Sequence, residues 1–450
     1  MSFADLAYDT ADVALPAGWR GVVLLTTMWV GGIAIVLGRI PRASWNVLWA
    51  EDGIVFLRDA WTHGLTAMVQ PYAGYLHIVP RFLAELAVLF PPSIEPTAVT
   101  LLAAATASAL GVSVFMTVGA RVRRFPLRIS VWLAAFALPV MGGEALGTIA
   151  NLHWFLLIAA FCAAVSRART ASAAAVQGIV LCAAVLSDPL AALLIPLLAV
   201  RWWLIRDRRE TVIAVAFLAA TAVQAIGTVS GTLLAGDRSV SASRPSGFEF
   251  LEMFGYRAAA TSILGIHGSS AAARTVDGAL PWLALAAVAV IVVAGATLSR
   301  RLRVVICGFS ASAIAFAAIV WALQWEFITS GGLARLDLGD RYTIVPTALV
   351  TIAILLAIDG ISHRLSGTTS LVVSVAALAV VVALVLIDAR VWMFRDGTPS
   401  WTDQLAARAE DCPSDAASSV RVQIAPATMG LFVDVPCEIA RQVSAPGRRP

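Results

Sequence analysis

Two adjacent carboxylates, Glu51 and Asp52, stand in segment 45–53, just past the first long apolar run of the chain. Charged groups beside a hydrophobic span cost desolvation energy, so they need partners or a chemical task. A carboxylate at this place can deprotonate an acceptor hydroxyl or hold a divalent cation. The alternative is that both acids only cap a helix beginning near Ile54, because acids favour helix N-termini.

Most other polar side chains capable of chemistry fall in segments predicted to lie on the same side as the acidic pair. Arginine binds phosphate bidentately, so a cleft rimmed by these groups next to lipid suits an anionic, lipid-linked substrate. The candidates are His77, Arg81, Glu144, Asn151, His153, Asp188, Arg335, Arg341 and Tyr342.

Each of these candidates also has an ordinary structural interpretation. His77 and Arg81 are one helical turn apart and would both extend to the membrane interface. Asp188 precedes a proline and suits a turn, and Arg341 with Tyr342 would form an interfacial anchor. Three others would satisfy loop backbone groups: Glu144, Asn151 and His153.

Composition indicates a multi-pass α-helical membrane protein. Of the 450 residues, 59% are hydrophobic and 13% are charged, against about 25% charged in soluble proteins. Apolar runs long enough to cross a hydrocarbon core of ~30 Å recur throughout. Eleven spans are predicted near 21–38, 96–120, 128–141, 152–165, 174–187, 190–204, 211–232, 281–298, 304–323, 343–359 and 369–388.

The arginines predict the orientation. All 32 basic residues are arginine, and many cluster in short loops such as 121–128, 206–209 and 300–303. Because such clusters mark the cytoplasmic side, they place the N-terminus inside and the C-terminus outside. We therefore expect a bacterial cytoplasmic-membrane protein, with no affinity for nucleic acid. Its parts would be a cytoplasmic tail 1–20, a membrane body 21–388 with a first outer loop 39–96, and an extracytoplasmic region 389–450.

Two outer regions have further predicted structure. In the first outer loop, 54–68 and 76–90 suit helices lying on or dipping into the membrane surface. The C-terminal region reads as a small soluble domain with Cys412 and Cys437. These cysteines form no Cys/His cluster, which argues against a zinc site, and an extracytoplasmic location favours a disulfide.

The order of these features resembles the GT-C superfamily of membrane glycosyltransferases. The first span is followed by an acidic pair in Trp49–Gly53, by two surface helices with a proline break, and by a second span ending in arginines. Tyr75–Arg81 stands where many members carry a His-Pro-Pro type segment, with two residues between His77 and Pro80. Gly339–Pro346 stands where the family commonly places a phosphate-gripping Arg or Tyr.

The resemblance implies an enzyme that transfers a sugar from a polyprenyl-phosphate donor to an extracytoplasmic glycan, lipid or protein. Asp52, with Glu51 beside it, would be the general base or the contact of a divalent cation, the one cofactor allowed for. The donor phosphate would be bound by His77, Arg81, Arg335, Arg341 and Tyr342. The sugar or acceptor pocket would be formed by Glu144, Asn151, His153 and Asp188. Rival interpretations are a transporter or lipid flippase, and a non-catalytic accessory membrane subunit.

Overall fold

The computed structural model describes residues 18–235, 243–330, 336, 339–389, 394–412 and 418–443. Most of the predicted N-terminal tail, and Arg335 among the predicted site residues, lie outside them. The helices of the membrane body are α1 Trp19–Arg39, α2 Arg58–His63, α3 Ile78–Ala87, α4 Glu95–Met116, α5 Phe125–Ala134, α6 Leu152–Ala164, α7 Ala171–Val185, α8 Ile195–Ile205, α9 Arg208–Ala235, α10 Gly247–Phe254, α11 Thr261–Val276, α12 Leu280–Leu298, α13 Arg303–Thr329, α14 Ile344–Ser362 and α15 Gly367–Ile387. The C-terminal region adds α16 Trp401–Ala409, strands β1 Ser419–Gln423 and β2 Phe432–Pro436, and α17 Cys437–Ala440.

Short π and 3-10 turns connect or extend these helices. The π turns are Asp52–Leu57 and Gly255–Ala260. The 3-10 turns are Arg42–Asn46, Gly64–Val69, Pro92–Ile94, Gly119–Arg121, Pro139–Met141, Pro189–Leu194, Asp277–Ala279, Asp340–Thr343 and Ala427–Met429.

The described chain contains seven helical stretches that are long and apolar enough to cross a membrane, as expected of a multi-pass membrane protein. They are Trp19–Arg39, Pro92–Arg121, Arg208–Gly231, Leu280–Leu298, Arg303–Thr329, Asp340–Ser362 and Gly367–Ile387. The other four predicted spans coincide with shorter apolar helices, namely Phe125–Met141, Leu152–Ala164, Ala171–Val185 and Pro189–Ile205.

Two helices form the centre of the membrane body. Every residue of α6 is buried, as are most residues of α14. The peripheral helices instead leave large apolar side chains exposed, including Ile226, Val290 and Leu386. Wide exposed apolar faces of this kind mark surfaces that lipid or a partner covers. The hydrophobic periodicity is weak because α6 and α14 are apolar all round, as expected of buried helices.

Segment 39–96, the predicted first outer loop, is largely helical, and no helix that lies wholly within it is long enough to span a membrane. Its first part folds as the π turn Asp52–Leu57, helix α2 and the turn Gly64–Val69. Its second part forms α3, which at 10 residues is too short to span a hydrocarbon core. The predicted helices in segments 54–68 and 76–90 are thus present as helical elements.

The C-terminal region packs on this outer loop. Strands β1 and β2 pair antiparallel, and Cys412 is bonded to Cys437. The Ala425 N–H donates to the Leu48 carbonyl at 2.9 Å, and the indole of Trp401 stacks on Trp61 with ring centroids 6.1 Å apart. The region therefore braces the loop that carries the acidic pair.

Candidate functional site

A polar cavity of about 500 Å³ opens among the first outer loop, α6, α13 and the start of α14. It brings together side chains from five separate parts of the sequence. Seven predicted site residues line it: Glu51, His77, Asn151, His153, Asp188, Arg341 and Tyr342. We call this space the polar cavity.

A histidine–carboxylate pair lies in one wall of the polar cavity. Asp188 precedes the turn Pro189–Leu194 and caps it by accepting from the Leu190 N–H at 2.8 Å. Its other oxygen lies 2.7 Å from Nδ1 of His153, which projects from the first turn of α6. A carboxylate on Nδ1 fixes the ring orientation and leaves Nε2 for a ligand or a proton.

The wall also carries Arg341 and Tyr342, just before α14 begins. The Nε of Arg341 lies 3.3 Å from Oε2 of Glu144, and its Nη2 lies 3.3 Å from the hydroxyl of Tyr342. Burial raises the pKa of Glu144, although the nearby Arg341 guanidinium lowers it, and the charge of Glu51 raises it further. Glu144 is absent from the cavity wall, so it holds Arg341 from behind.

The two members of the acidic pair differ in environment. Glu51 lines the cavity and makes no side-chain hydrogen bond or ion pair within the described chain. Asp52 is 1% exposed and accepts from the Ala150 N–H at 2.8 Å. Burial raises its pKa from 3.8 to about 7, against the opposing effects of the Ala150 N–H and Arg395. Asp52, the residue expected to be the general base or metal contact, does not line the polar cavity, whereas its neighbour Glu51 does.

Aromatic rings form much of the remaining surface. His77 stacks on Tyr75 with centroids 4.2 Å apart, and its Nε2 lies 3.2 Å from the Tyr72 carbonyl oxygen. Trp154 meets Tyr342 edge to face at 5.8 Å. Tyr72, Tyr75 and Trp154 were not predicted as site residues. Their closeness in the sequence to the predicted site residues His77 and His153 could have identified them.

Arg81 does not join the site. Its Nη1 donates to Oδ2 of Asp59 at 3.0 Å, its side chain is 1% exposed, and it does not line the cavity. The pairing with Asp59 buries the guanidinium inside the first outer loop. Arg81, predicted to bind a donor phosphate, is thus paired with Asp59, which was not among the predicted site residues.

The described residues contain no group of three or more His, Cys, Asp and Glu side chains placed to hold a metal ion. What they do place together is an uncommitted carboxylate, a carboxylate-bound imidazole and a guanidinium, within aromatic walls. Such a set can accept a proton and bind an anionic group. No family model, curated protein or solved structure matches this chain.

Proposed function

We propose that the chain is a GT-C-like membrane glycosyltransferase that uses a polyprenyl-phosphate sugar as donor. The observation that carries the proposal is the meeting of Glu51, His153 and Arg341 around one cavity beside membrane-length helices. Sugar transfer from a lipid phosphate needs a base for the acceptor and a cation for the leaving phosphate. The polar cavity offers both.

In the proposed reaction, an acceptor hydroxyl oxygen attacks the anomeric carbon of the donor sugar. The bond from that carbon to the phosphate oxygen breaks, and its electron pair leaves with polyprenyl phosphate. Glu51 takes the hydroxyl proton, because it is the cavity carboxylate that makes no hydrogen bond or ion pair with a described side chain. One inverting displacement of this kind needs one base and one cation on the leaving group.

Arg341 is assigned to the donor phosphate. Its Nε faces Glu144 and its Nη2 faces the Tyr342 hydroxyl, so the guanidinium plane is fixed before substrate arrives. A fixed cation loses little entropy on binding and stabilises the charge that develops on the leaving oxygen. Glu144 is then a positioning residue rather than part of a sugar pocket.

Asn151, His153, Asp188 and the aromatic walls are assigned to the sugars. The Nδ2 of Asn151 already donates to the Glu144 carbonyl and the Thr148 hydroxyl. Its Oδ1 and the Nε2 of His153 suit hydroxyl groups as hydrogen-bond partners. The rings of Tyr75 and Trp154 provide the apolar surface that most small-molecule sites contain. Asp188 acts through His153.

The proposed setting is a bacterial cytoplasmic membrane crossed by eleven helices, with the N-terminus inside and the polar cavity outside. Labelling tests it. With exposed Cys307 replaced by Ser, and after reduction, an impermeant maleimide added outside should modify Cys412. Modification from the cytoplasmic side alone would reverse the proposed orientation.

The activity is tested in proteoliposomes that contain the purified full chain, a membrane-lipid extract as acceptor source and a panel of polyprenyl-phosphate sugars. The readout is released polyprenyl phosphate, which is independent of the sugar. Glu51→Gln should lower release by about 10²- to 10⁴-fold because the base is lost. The matched control Glu85→Gln removes a carboxylate of α3 that does not line the cavity, and it should retain release.

Three outcomes separate the alternatives. Loss in Asp52→Asn with normal release in Glu51→Gln would return the base to Asp52. Movement of the intact lipid-linked sugar across the bilayer without release would support a flippase. Neither release nor movement with any donor would contradict the enzyme proposal.

A further inference from the structure

A second polar cavity lies at the far end of α14, away from the polar cavity. Helix α14 has 19 residues, about 28 Å at 1.5 Å per residue. Arg341 and Tyr342 precede it, whereas Asp359, His363 and Arg364 stand at its end. The second cavity has a volume of about 300 Å³, and a neighbouring one of about 290 Å³ shares Arg123, Asp359 and His363 with it.

Positive charge dominates this second cavity. It is lined by Arg123, Arg300, Arg301 and Arg364 against a single carboxylate, Asp359, and we call it the basic cleft. The four arginines come from three different places: the loop after the turn Gly119–Arg121, the connection between α12 and α13, and the end of α14. The fold thus concentrates charges that are far apart in the sequence.

Some of this charge has a structural use. Arg364 donates to the Leu298 carbonyl at the end of α12, with Nε at 3.2 Å and Nη2 at 3.0 Å. Arg301 lies 3.5 Å from Asp359, whose other oxygen accepts from the Arg123 backbone N–H at 3.1 Å. These contacts satisfy a helix C-terminus and the one carboxylate, as expected for cations at helix ends.

Two guanidinium groups have no carboxylate partner. Arg300 is exposed, and its side chain makes no hydrogen bond or ion pair with the described residues. The Nη1 of Arg123 contacts only the ring of His363, at 3.0 and 2.9 Å from its two nitrogens. Because a guanidinium can only donate, the facing imidazole nitrogen must accept and the ring is neutral there. Neither guanidinium makes a hydrogen bond or ion pair with the one carboxylate of the cleft, Asp359.

We propose that the basic cleft binds a phosphate-bearing anion, most naturally the headgroup phosphate of an anionic membrane lipid. Arg123 and Arg300 would contact the phosphate, and the walls supplied by α12 and α14 would limit the headgroup. The lipid source is favoured because the cleft opens at the end of apolar, membrane-length helices, where headgroup phosphates lie. A soluble phosphate compound has the same chemistry and is the second source to distinguish.

The test uses the detergent-purified full chain, stripped of bound lipid, and native mass spectrometry with titration. The probes are phosphatidylglycerol, phosphatidylcholine and sodium diphosphate. Phosphatidylglycerol should bind saturably, and Arg123→Gln with Arg300→Gln should weaken it roughly 30-fold, since each interfacial arginine contributes about fivefold. Tight binding of diphosphate as well would identify a soluble anion as the source.

The matched control is Arg208→Gln with Arg209→Gln, which removes two exposed arginines at the start of α9, outside the basic cleft. This control should keep the affinity of the wild-type chain. Equal weakening in both double variants, or equal binding of phosphatidylcholine, would overturn the proposal. If the first double variant does not fold, Arg300→Gln alone should still weaken binding about fivefold.

Discussion

At its Ile344 end, helix α14 meets the polar cavity, and at its Ser362 end it meets the basic cleft. In the polar cavity, charged side chains are matched with partners: Arg341 faces Glu144, and Asp188 faces the imidazole of His153. In the basic cleft, four arginines line a space with one carboxylate, and only Arg301 forms an ion pair with it. Matched charges under low exposure hold groups in fixed geometry, whereas surplus exposed charge attracts a mobile counter-ion. Under the two proposals, the polar cavity carries out sugar transfer and the basic cleft binds an anion.

The largest expected effect on activity and stability together comes from breaking a matched pair. Arg341→Gln leaves the Glu144 carboxylate buried without its cation, which should cost about 3 kcal/mol of unfolding free energy. It should also lower release of polyprenyl phosphate by about 10²- to 10³-fold, because the leaving phosphate loses its cation. Arg300→Gln, in the basic cleft, should change stability by less than about 0.5 kcal/mol.

Thermal unfolding and the release assay measure both effects. Adding Glu144→Gln to Arg341→Gln should recover stability but not release, because the stranded carboxylate is gone and the phosphate contact is still missing. Recovery of release in the double variant would show that Arg341 does not contact the donor.

Asp52 lies beside the polar cavity but forms no ion pair with a described side chain; it accepts from the Ala150 N–H. Its contribution to stability depends on pH. Its pKa rises to about 7 in the folded chain from 3.8, so between these values the folded state binds more protons than the unfolded state. Stability from this group should therefore be full below about pH 4 and fall by roughly 4 kcal/mol as pH rises through 7.

Asp52→Asn keeps an oxygen for the Ala150 N–H but cannot ionise. Thermal unfolding measured from pH 5 to pH 9 should show a flatter profile for this variant and a higher unfolding temperature than wild type at pH 8. Parallel profiles for the two chains would mean that the Asp52 carboxyl stays ionised throughout.

The clustering of polar side chains in the polar cavity could be predicted from the sequence, because polar groups at the ends of apolar helices lie together near the membrane surface. It does not determine which of two neighbours faces the space. Successive helical residues point about 100° apart, so Glu51 and Asp52 cannot both face the cavity, and their types are too similar to decide. Packing of the Asp52 carboxyl against the backbone of Ala150, 98 residues away, decides it.

Arg81 shows a second limit. A spacing of four residues places His77 and Arg81 on one face only if both are helical. His77 instead has φ −129° and ψ 61° and precedes α3, so the helical period does not apply across it. Arg81 forms an ion pair with Asp59. This contact joins two parts of the outer loop, and no local sequence pattern predicts it.

The disulfide lies in the region that packs beside the polar cavity, and the basic cleft has no counterpart among the described residues. Its removal should give the next largest effect on stability. It links residues 25 apart in the region that packs on the first outer loop. Cys412→Ser should lower the unfolding free energy of that region by about 3 kcal/mol, since the open chain gains entropy. Limited proteolysis measures it, with Cys307→Ser as control, because Cys307 is free and exposed. Equal protease resistance of all three chains would contradict the bracing role.

The smallest effect tests whether the matched pair His153–Asp188 acts as a unit. Asp188→Asn keeps an oxygen for the Leu190 N–H, but the carboxylate that faces Nδ1 of His153 is lost. This loss should lower release of polyprenyl phosphate about 10- to 100-fold. If Asp188 acts only through the imidazole, the double variant with His153→Asn should lose no more than His153→Asn alone. Additive losses would instead give Asp188 its own contact with substrate, and the carboxylate would then belong to the sugar pocket directly.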